Sequence, residues 1–266
     1  TSPRALSPAL GVTVTLAGVL AMSVGGILLA TRSGLGLRAQ IALGTLFLAL
    51  PAVVALLGLR PGSWRETLGL GALPPRLLGL SVLLGGALWI FSIGLMELQS
   101  LALPPPPEYL EAFRVLHRAL APRNALDALV SVAVIAIGPG LGEEIVTRGV
   151  LLPSLTRTLR PWGAVSLSAL LFAAMHLDPY RFLFTLTIGL VLGVVRLRTG
   201  SLWPPIVAHV SLNTLTFLVA PLVDDPEAVY TPEPLLGVAC LVIGAGLALP
   251  LLRSLRRFVD SSGGAA

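Results

Sequence analysis

Three pairs of residues, each spaced by four, stand out from an otherwise apolar chain: Glu144 with Arg148, Phe172 with His176, and His209 with Asn213. Residues four apart share a helix face, so each pair can offer two side chains to one space. Glu143 adjoins the first pair but points about 100° away from Glu144 on a helix, so the two carboxylates need not do the same job. Glu144 and Arg148 can pair with each other, and bracing one helix against another is the commoner fate of such a pair. Glu143 has no partner at helical spacing. A carboxylate left free in an intramembrane cavity can take a proton from water as a general base, and that is the role expected of Glu143.

His176 closes the apolar run 169–175, and His209 the run 206–208. Taken singly, each would more often pack a helix than perform chemistry. The chain has only three histidines, however, and two of them lie in apolar segments together with a glutamate pair and an asparagine, which favours a shared site. The third, His117, falls in a polar connection and is expected to face solvent. Asn213, one turn beyond His209, carries a donor suited to a developing oxyanion. An interhelical hydrogen bond is an equally ordinary use of asparagine in a membrane. Just ahead of the carboxylates, Gly138-Pro139-Gly140-Leu141-Gly142 is expected to kink its helix and open a polar cavity.

The elements that must position these residues belong to a membrane protein. Of the 266 residues 55% are hydrophobic and 12% charged, where a soluble domain carries roughly a quarter charged. Ionisable groups at membrane depth are costly, so those that persist are functional by default. A crossing needs about 20 apolar residues, and candidate segments fall at 8–31, 39–59, 77–99, 126–148, 161–177, 181–198, 203–220 and 235–252. The expected fold class is all-α: a polytopic membrane protein with about eight transmembrane helices around an intramembrane catalytic cavity. It forms a single transmembrane domain over 1–266, with the core that carries the motif pairs at about 126–220. The first segment, with only Arg4 before it and no convincing cleavage site, is read as a retained span. The connection 100–125 opens with Pro104-Pro105-Pro106-Pro107, which favours an extended polyproline stretch. It continues with apolar residues interleaved among charges, the pattern of a short helix lying on the membrane surface. Such a helix either covers the site or, more commonly, only joins two spans.

All 18 basic residues are arginine, and the net charge is +5. The arginines cluster between apolar segments, where they report topology and not nucleic-acid binding. Alternating the spans leaves Arg32, Arg38, Arg114, Arg118, Arg123 and Arg181 on one side, with the acidic Asp224, Asp225, Glu227 and Glu233. The other 12 arginines fall on the opposite side, so both termini are expected to be cytoplasmic. Cys240 is the only cysteine and has no second thiol for a disulfide or metal site. Neither a His-Glu-x-x-His zinc motif nor a Gly-x-Ser-x-Gly elbow occurs. Gly140-Leu141-Gly142-Glu143 resembles the Gly-x-Gly-Asp of intramembrane aspartyl proteases, but no deep aspartate completes a dyad.

Taken together and in order, Glu143-Glu144-x-x-x-Arg148, Phe172-x-x-x-His176 and His209-x-x-x-Asn213 resemble the CPBP family, the CAAX prenyl proteases and bacteriocin-processing (Abi) membrane endopeptidases. The resemblance covers about 140–215. It implies peptide-bond hydrolysis by a glutamate-activated water, with Glu143 as general base and His176 helping to hold and polarise the water. His209 and Asn213 would form the oxyanion hole, and Glu144, Arg148 and Phe172 would support the site. The family is often described as metal-dependent, and Glu143, His176 and His209 would then make a two-His, one-carboxylate zinc site. The spacing does not decide between the two. No cofactor is expected, because asparagine is a poor zinc ligand and a good oxyanion donor.

The implied partners are a peptide or membrane-protein substrate and the lipid bilayer, without nucleic acid. Exclusive arginine usage and abundant Ala, Gly, Leu and Pro point to a GC-rich bacterial genome and an inner-membrane location. Protein prenylation is not expected there, so peptide maturation or bacteriocin self-immunity is favoured over CAAX cleavage. The alternative from another class is a non-catalytic membrane binder or scaffold that uses the same polar residues to pack helices or hold an ion. One geometric demand follows from the boundaries above, which put Glu143 and His176 at different depths. They meet only if span four runs on to about Leu155 and span five starts deeper than Pro161.

Overall fold

The computed structural model describes residues 6–58, 63–223 and 231–263, and all regular structure among them is helical. Arg4, Arg60, Asp224, Asp225 and Glu227, which entered the topology argument, lie outside the described residues. In chain order the helices are α1 (Pro8–Arg32), α2 (Leu37–Leu57), the short α3 (Ser63–Leu68), α4 (Pro75–Ala102) and α5 (Pro107–Leu120). There follow α6 (Ala125–Leu155), α7 (Pro161–Ala174), α8 (Phe182–Thr199), α9 (Trp203–Val223) and α10 (Pro234–Gly263). Proline opens α1, α4, α5 and α7, where its fixed φ suits a first helical turn. α8 stops at Gly200, whose φ of +64° is the left-handed end that glycine adopts without steric cost.

Among the described residues, six helical segments are long and apolar enough to cross a bilayer: α1, α2, α4, α6, Pro179–Thr199 and Pro234–Arg256. α7 is apolar but only 14 residues long. Length and composition therefore support an all-helical membrane protein with six such spans, not the full eight expected. Leu20, Ile27, Leu57 and Val242 all point outward. A soluble monomer does not tolerate so extended an apolar exterior, and a bilayer requires one.

α6 runs through the middle of the bundle, touching α1, α2, α3, α7, α8 and α9. Pro139 cannot donate a hydrogen bond to the preceding turn, and its ring crowds that turn. The helix accommodates it by widening into π-helix at Ala133–Ile137, and it widens again at Ile145–Leu151. The expected kink thus takes the form of two widened segments that bracket Glu143 and Glu144. Isolated π turns are concentrated at functional sites. The glycines serve close approach: a Cβ on Gly140 would lie 2.7 Å from Val210 Cγ2, and one on Gly142 2.8 Å from Thr45 Cγ2. Only glycine lets α9 and α2 come this near α6 at the level of the carboxylates.

The depth expectation holds for α6, which runs on to Leu155, and fails for α7, which starts at Pro161 and no deeper. α6 does continue to Leu155, which puts Glu144 about 17 Å in from that end at 1.5 Å per residue. α7 starts at Pro161, so Phe172 lies about 17 Å in from the same end by the same rise. His209, however, is only about 9 Å beyond the start of α9 at Trp203, and yet it touches both levels. The start of α9 is therefore sunk into the bundle: Leu202 is buried beside Leu68, Val146 and Phe172. The chain after α3 covers it, close enough that a Cβ on Gly69 would meet the Gly200 carbonyl.

Candidate active site

Glu144 and Arg148 are the buried heart of the molecule, 0% and 1% exposed. Arg148 Nη1 donates to Glu144 Oε1 at 2.7 Å and to Thr147 Oγ1 at 2.8 Å, and Nη2 donates to the Gly189 carbonyl of α8 at 3.0 Å. The guanidinium also lies 4.5 Å from the centre of the Phe172 ring, a cation–π contact strengthened by the absence of water. Arg196, also buried, donates to the Arg148 carbonyl at 3.2 Å and to the Thr67 carbonyl at 2.7 Å, tying α8 to α6 and α3. Sequence reasoning treated Arg196 as a topology marker. The signal that distinguishes it is helical register, because Thr185, Gly189, Leu192, Gly193 and Arg196 share the inward stripe of α8 and Arg198 does not.

His209 joins this network from α9, with Nδ1 2.9 Å from Glu144 Oε1. A carboxylate paired with arginine is an acceptor only, so Nδ1 carries the hydrogen and donates it. In the neutral ring this leaves the lone pair on Nε2, and Nε2 faces Glu143 Oε2 at 3.9 Å. The gap is too long for a direct hydrogen bond, and one water can bridge it. Glu143 itself is partly open, its side chain 17% exposed. Its backbone carbonyl accepts from Thr147 Oγ1 at 2.6 Å. Glu144 Oε2 is buried without a hydrogen-bond partner. An unsatisfied buried acceptor costs about 1–3 kcal/mol, and such exceptions concentrate where function constrains the structure.

Phe172 links the two imidazoles. Its ring meets that of His176 edge-on at 5.0 Å and that of His209 at 6.0 Å. His176 sits in the turn just after α7, where its Nδ1 donates to the Phe172 carbonyl at 2.8 Å. This leaves Nε2 as the available nitrogen. Glu143, Glu144, Arg148, Phe172 and His209 thus come together directly, and His176 reaches them through Phe172. Asn213 is half-buried one turn beyond His209 and makes no hydrogen bond to the group among the described residues. The link between Glu144 and His209 was not visible in the sequence, which paired Glu144 with Arg148 alone.

The turn carrying His176 has its own support. Leu177 adopts φ +50° and is 79% exposed, a left-handed conformation unfavourable for a residue with a Cβ. Asp178 follows: its Oδ1 accepts from Tyr180 N at 3.0 Å, and its Oδ2 accepts from the Tyr109 hydroxyl of α5 at 2.7 Å. Burial first, and then the hydrogen bond to Asp178, push the Tyr109 phenol well above its ordinary value of 10.0, so it remains a donor. Tyr109 also packs on Tyr180 and Phe113. At its other end α5 is clamped by Arg38, which donates to Ser131 Oγ at 2.8 Å and the Leu120 carbonyl at 3.0 Å and pairs with Asp127 at 3.1 Å. The connection read as a joint between spans is therefore fastened at both ends, at one to the turn that carries His176 and at the other to the starts of α2 and α6. Tyr109 and Asp178 went unremarked in the sequence, although Asp178 lies only two residues from His176.

A zinc site on Glu143, His176 and His209 does not fit this arrangement. Among the described residues Glu143, His176 and His209 do not converge as a set of metal ligands; the bond from His209 Nδ1 to Glu144 leaves Nε2, which faces Glu143, as the one available nitrogen of that ring.

Comparison with known proteins agrees with the motifs. Residues 125–215 match the family of type II CAAX prenyl endopeptidases described as Rce1-like. Over 142 residues the chain is 32% identical to an uncharacterized 24.3 kDa protein of Escherichia coli, a match covering 50% of this chain and 61% of that protein. No solved structure matches. The family match begins with α6 and ends just past Asn213, so it covers the stretch that builds the site.

Proposed function

We propose that this chain is an intramembrane endopeptidase whose base is Glu143, with His209 as the partner that positions its water. The observation that carries the reading is the 3.9 Å gap between Glu143 Oε2 and His209 Nε2, with the far nitrogen of the imidazole held by Glu144. Water in that gap donates one hydrogen to Glu143 and keeps its lone pair for a carbonyl carbon. As the water oxygen bonds to that carbon, the proton passes to Glu143 and the carbonyl electrons move onto oxygen. His176, across Phe172 from His209, is then the group able to hold the water, and Asn213, one turn beyond His209, the one able to receive the oxyanion. His209 adds a donor at Nε2 only once it has gained a proton. Collapse expels the amine, which recovers its proton from Glu143.

The substrate class is a peptide segment reaching the membrane, and the arginine distribution supports a protein with both termini in the cytoplasm of a bacterium. The test uses purified protein in detergent with a panel of fluorogenic peptides, prenylated and unprenylated, comparing wild type with Glu143→Ala. Cleavage by wild type alone, unaffected by chelators, supports the reading. If wild type cleaves nothing while both proteins melt alike, the polar cluster is a packing or binding device, and if chelators abolish cleavage the metal-free step is wrong.

A further inference from the structure

Far from the carboxylates, α7, α8 and α10 enclose a groove of about 470 Å³. Arg198 reaches it from the last turn of α8, and Arg253 and Arg256 reach it from α10. No acidic side chain lines it. Beside the arginines stands Trp162, exposed in the first turn of α7. Leading away from them along α8 are Val194 and Leu190, four and eight residues before Arg198 and so on the same helix face. Leu249, four residues before Arg253, does the same on α10. The groove is cationic at one end and apolar for about 12 Å beyond, taking 1.5 Å per residue.

We infer that this groove binds the phosphodiester headgroup of an anionic phospholipid, with one acyl chain laid along α8 and α10. The positive-inside tendency explains an arginine at the end of a span. It does not explain three arginines from two helices converging on one cleft whose remaining wall is apolar. A basic cleft between helices at the membrane surface suits an anionic headgroup, and an exposed tryptophan suits the interfacial level at which that headgroup sits. A free phosphate would use the arginines but leave the apolar wall uncovered.

Native mass spectrometry of the full chain in detergent, titrated separately with phosphatidylglycerol and phosphatidylcholine, tests this. Wild type is expected to retain one phosphatidylglycerol with at least about tenfold preference over phosphatidylcholine, given about a kilocalorie per mole for each arginine near an anionic surface. Replacing Arg198, Arg253 and Arg256 together by Ala should abolish the preference, whereas replacing the three by Lys should keep much of it. All three sites are exposed, so the variants should melt as wild type does. Equal retention of the two lipids by wild type, or undiminished preference in the alanine variant, overturns the proposal. So does displacement of the lipid by millimolar inorganic phosphate, which would make the site one for the free anion.

Discussion

His209 and His176 face the same phenylalanine but are held in opposite ways. His209 is gripped by a buried carboxylate that is itself gripped by Arg148, and Arg196 fixes the backbone of that arginine. Every contact lies in the interior, where low dielectric strengthens it and where an unpaired group is severely penalised. His176 sits beside an exposed, left-handed leucine in a turn held from outside by Tyr109 of α5. One wall of the site is thus fixed by the core of the bundle, and the other depends on a strap that can be loosened without unfolding the bundle. A protease that must admit a peptide needs both: a base whose geometry does not drift, and a side that gives way.

The difference can be broken most severely from the buried side. Arg148→Leu leaves the buried Glu144 without its cationic partner and with the His209 hydrogen bond alone, and the expected cost is about 3–5 kcal/mol, read as a large fall in Tm together with loss of activity. A variant that melts like wild type would show that the network is not the rigid wall. Gly140→Ala should cost less, about 1–3 kcal/mol from overpacking. Its Cβ would press on Val210, the residue after His209. Activity should fall further than stability, because α9 is pushed away from Glu143.

The strap should respond in the reverse sense. Tyr109→Phe removes one hydrogen bond to a carboxylate, worth about 1.5 kcal/mol locally, so Tm should scarcely move. Hydrogen exchange in 176–181 should rise and kcat should fall. The phenol's own contribution to the strap should be insensitive to pH below about 10. With the folded phenol raised above its ordinary value, stability from this group is constant below that value and declines as pH rises past it. The smallest effect is expected for Leu177→Gly, which relieves a strain of about 1 kcal/mol without uncovering any packed surface. It should leave Tm unchanged or slightly raised while loosening His176. If Tyr109→Phe instead unfolds the protein, the two walls are equally structural and the contrast fails.

The sequence carried the membrane class, nearly all helix positions and the three motif pairs, because these rest on composition and on spacings within one helix. Glu144 with Arg148 and Phe172 with His176 are local contacts, and both form as the spacing requires. Contacts between helices were not legible. The bond from Glu144 to His209 spans 65 residues of sequence, and Glu144 has no feature that marks a second partner. The sunken start of α9 depends on how the turn at Gly200 packs beneath the chain after α3, which no hydropathy pattern reports. Arg196 could have been separated from Arg198 by its register with Gly189 and Gly193. The count of eight spans came from apolar runs alone; by length and composition six segments among the described residues qualify, and α7 is an apolar helix of only 14 residues.

The central claim is that Glu143, and not the buried pair beside it, carries the proton. Glu143→Gln keeps the size of the side chain at a partly exposed position and removes the base, so the direct measurement is peptide cleavage by this variant beside its melting curve. The expected result is wild-type Tm with cleavage reduced by at least about a hundredfold, the usual contribution of a positioned base. Cleavage within a few-fold of wild type would contradict the account and move the chemistry to another residue.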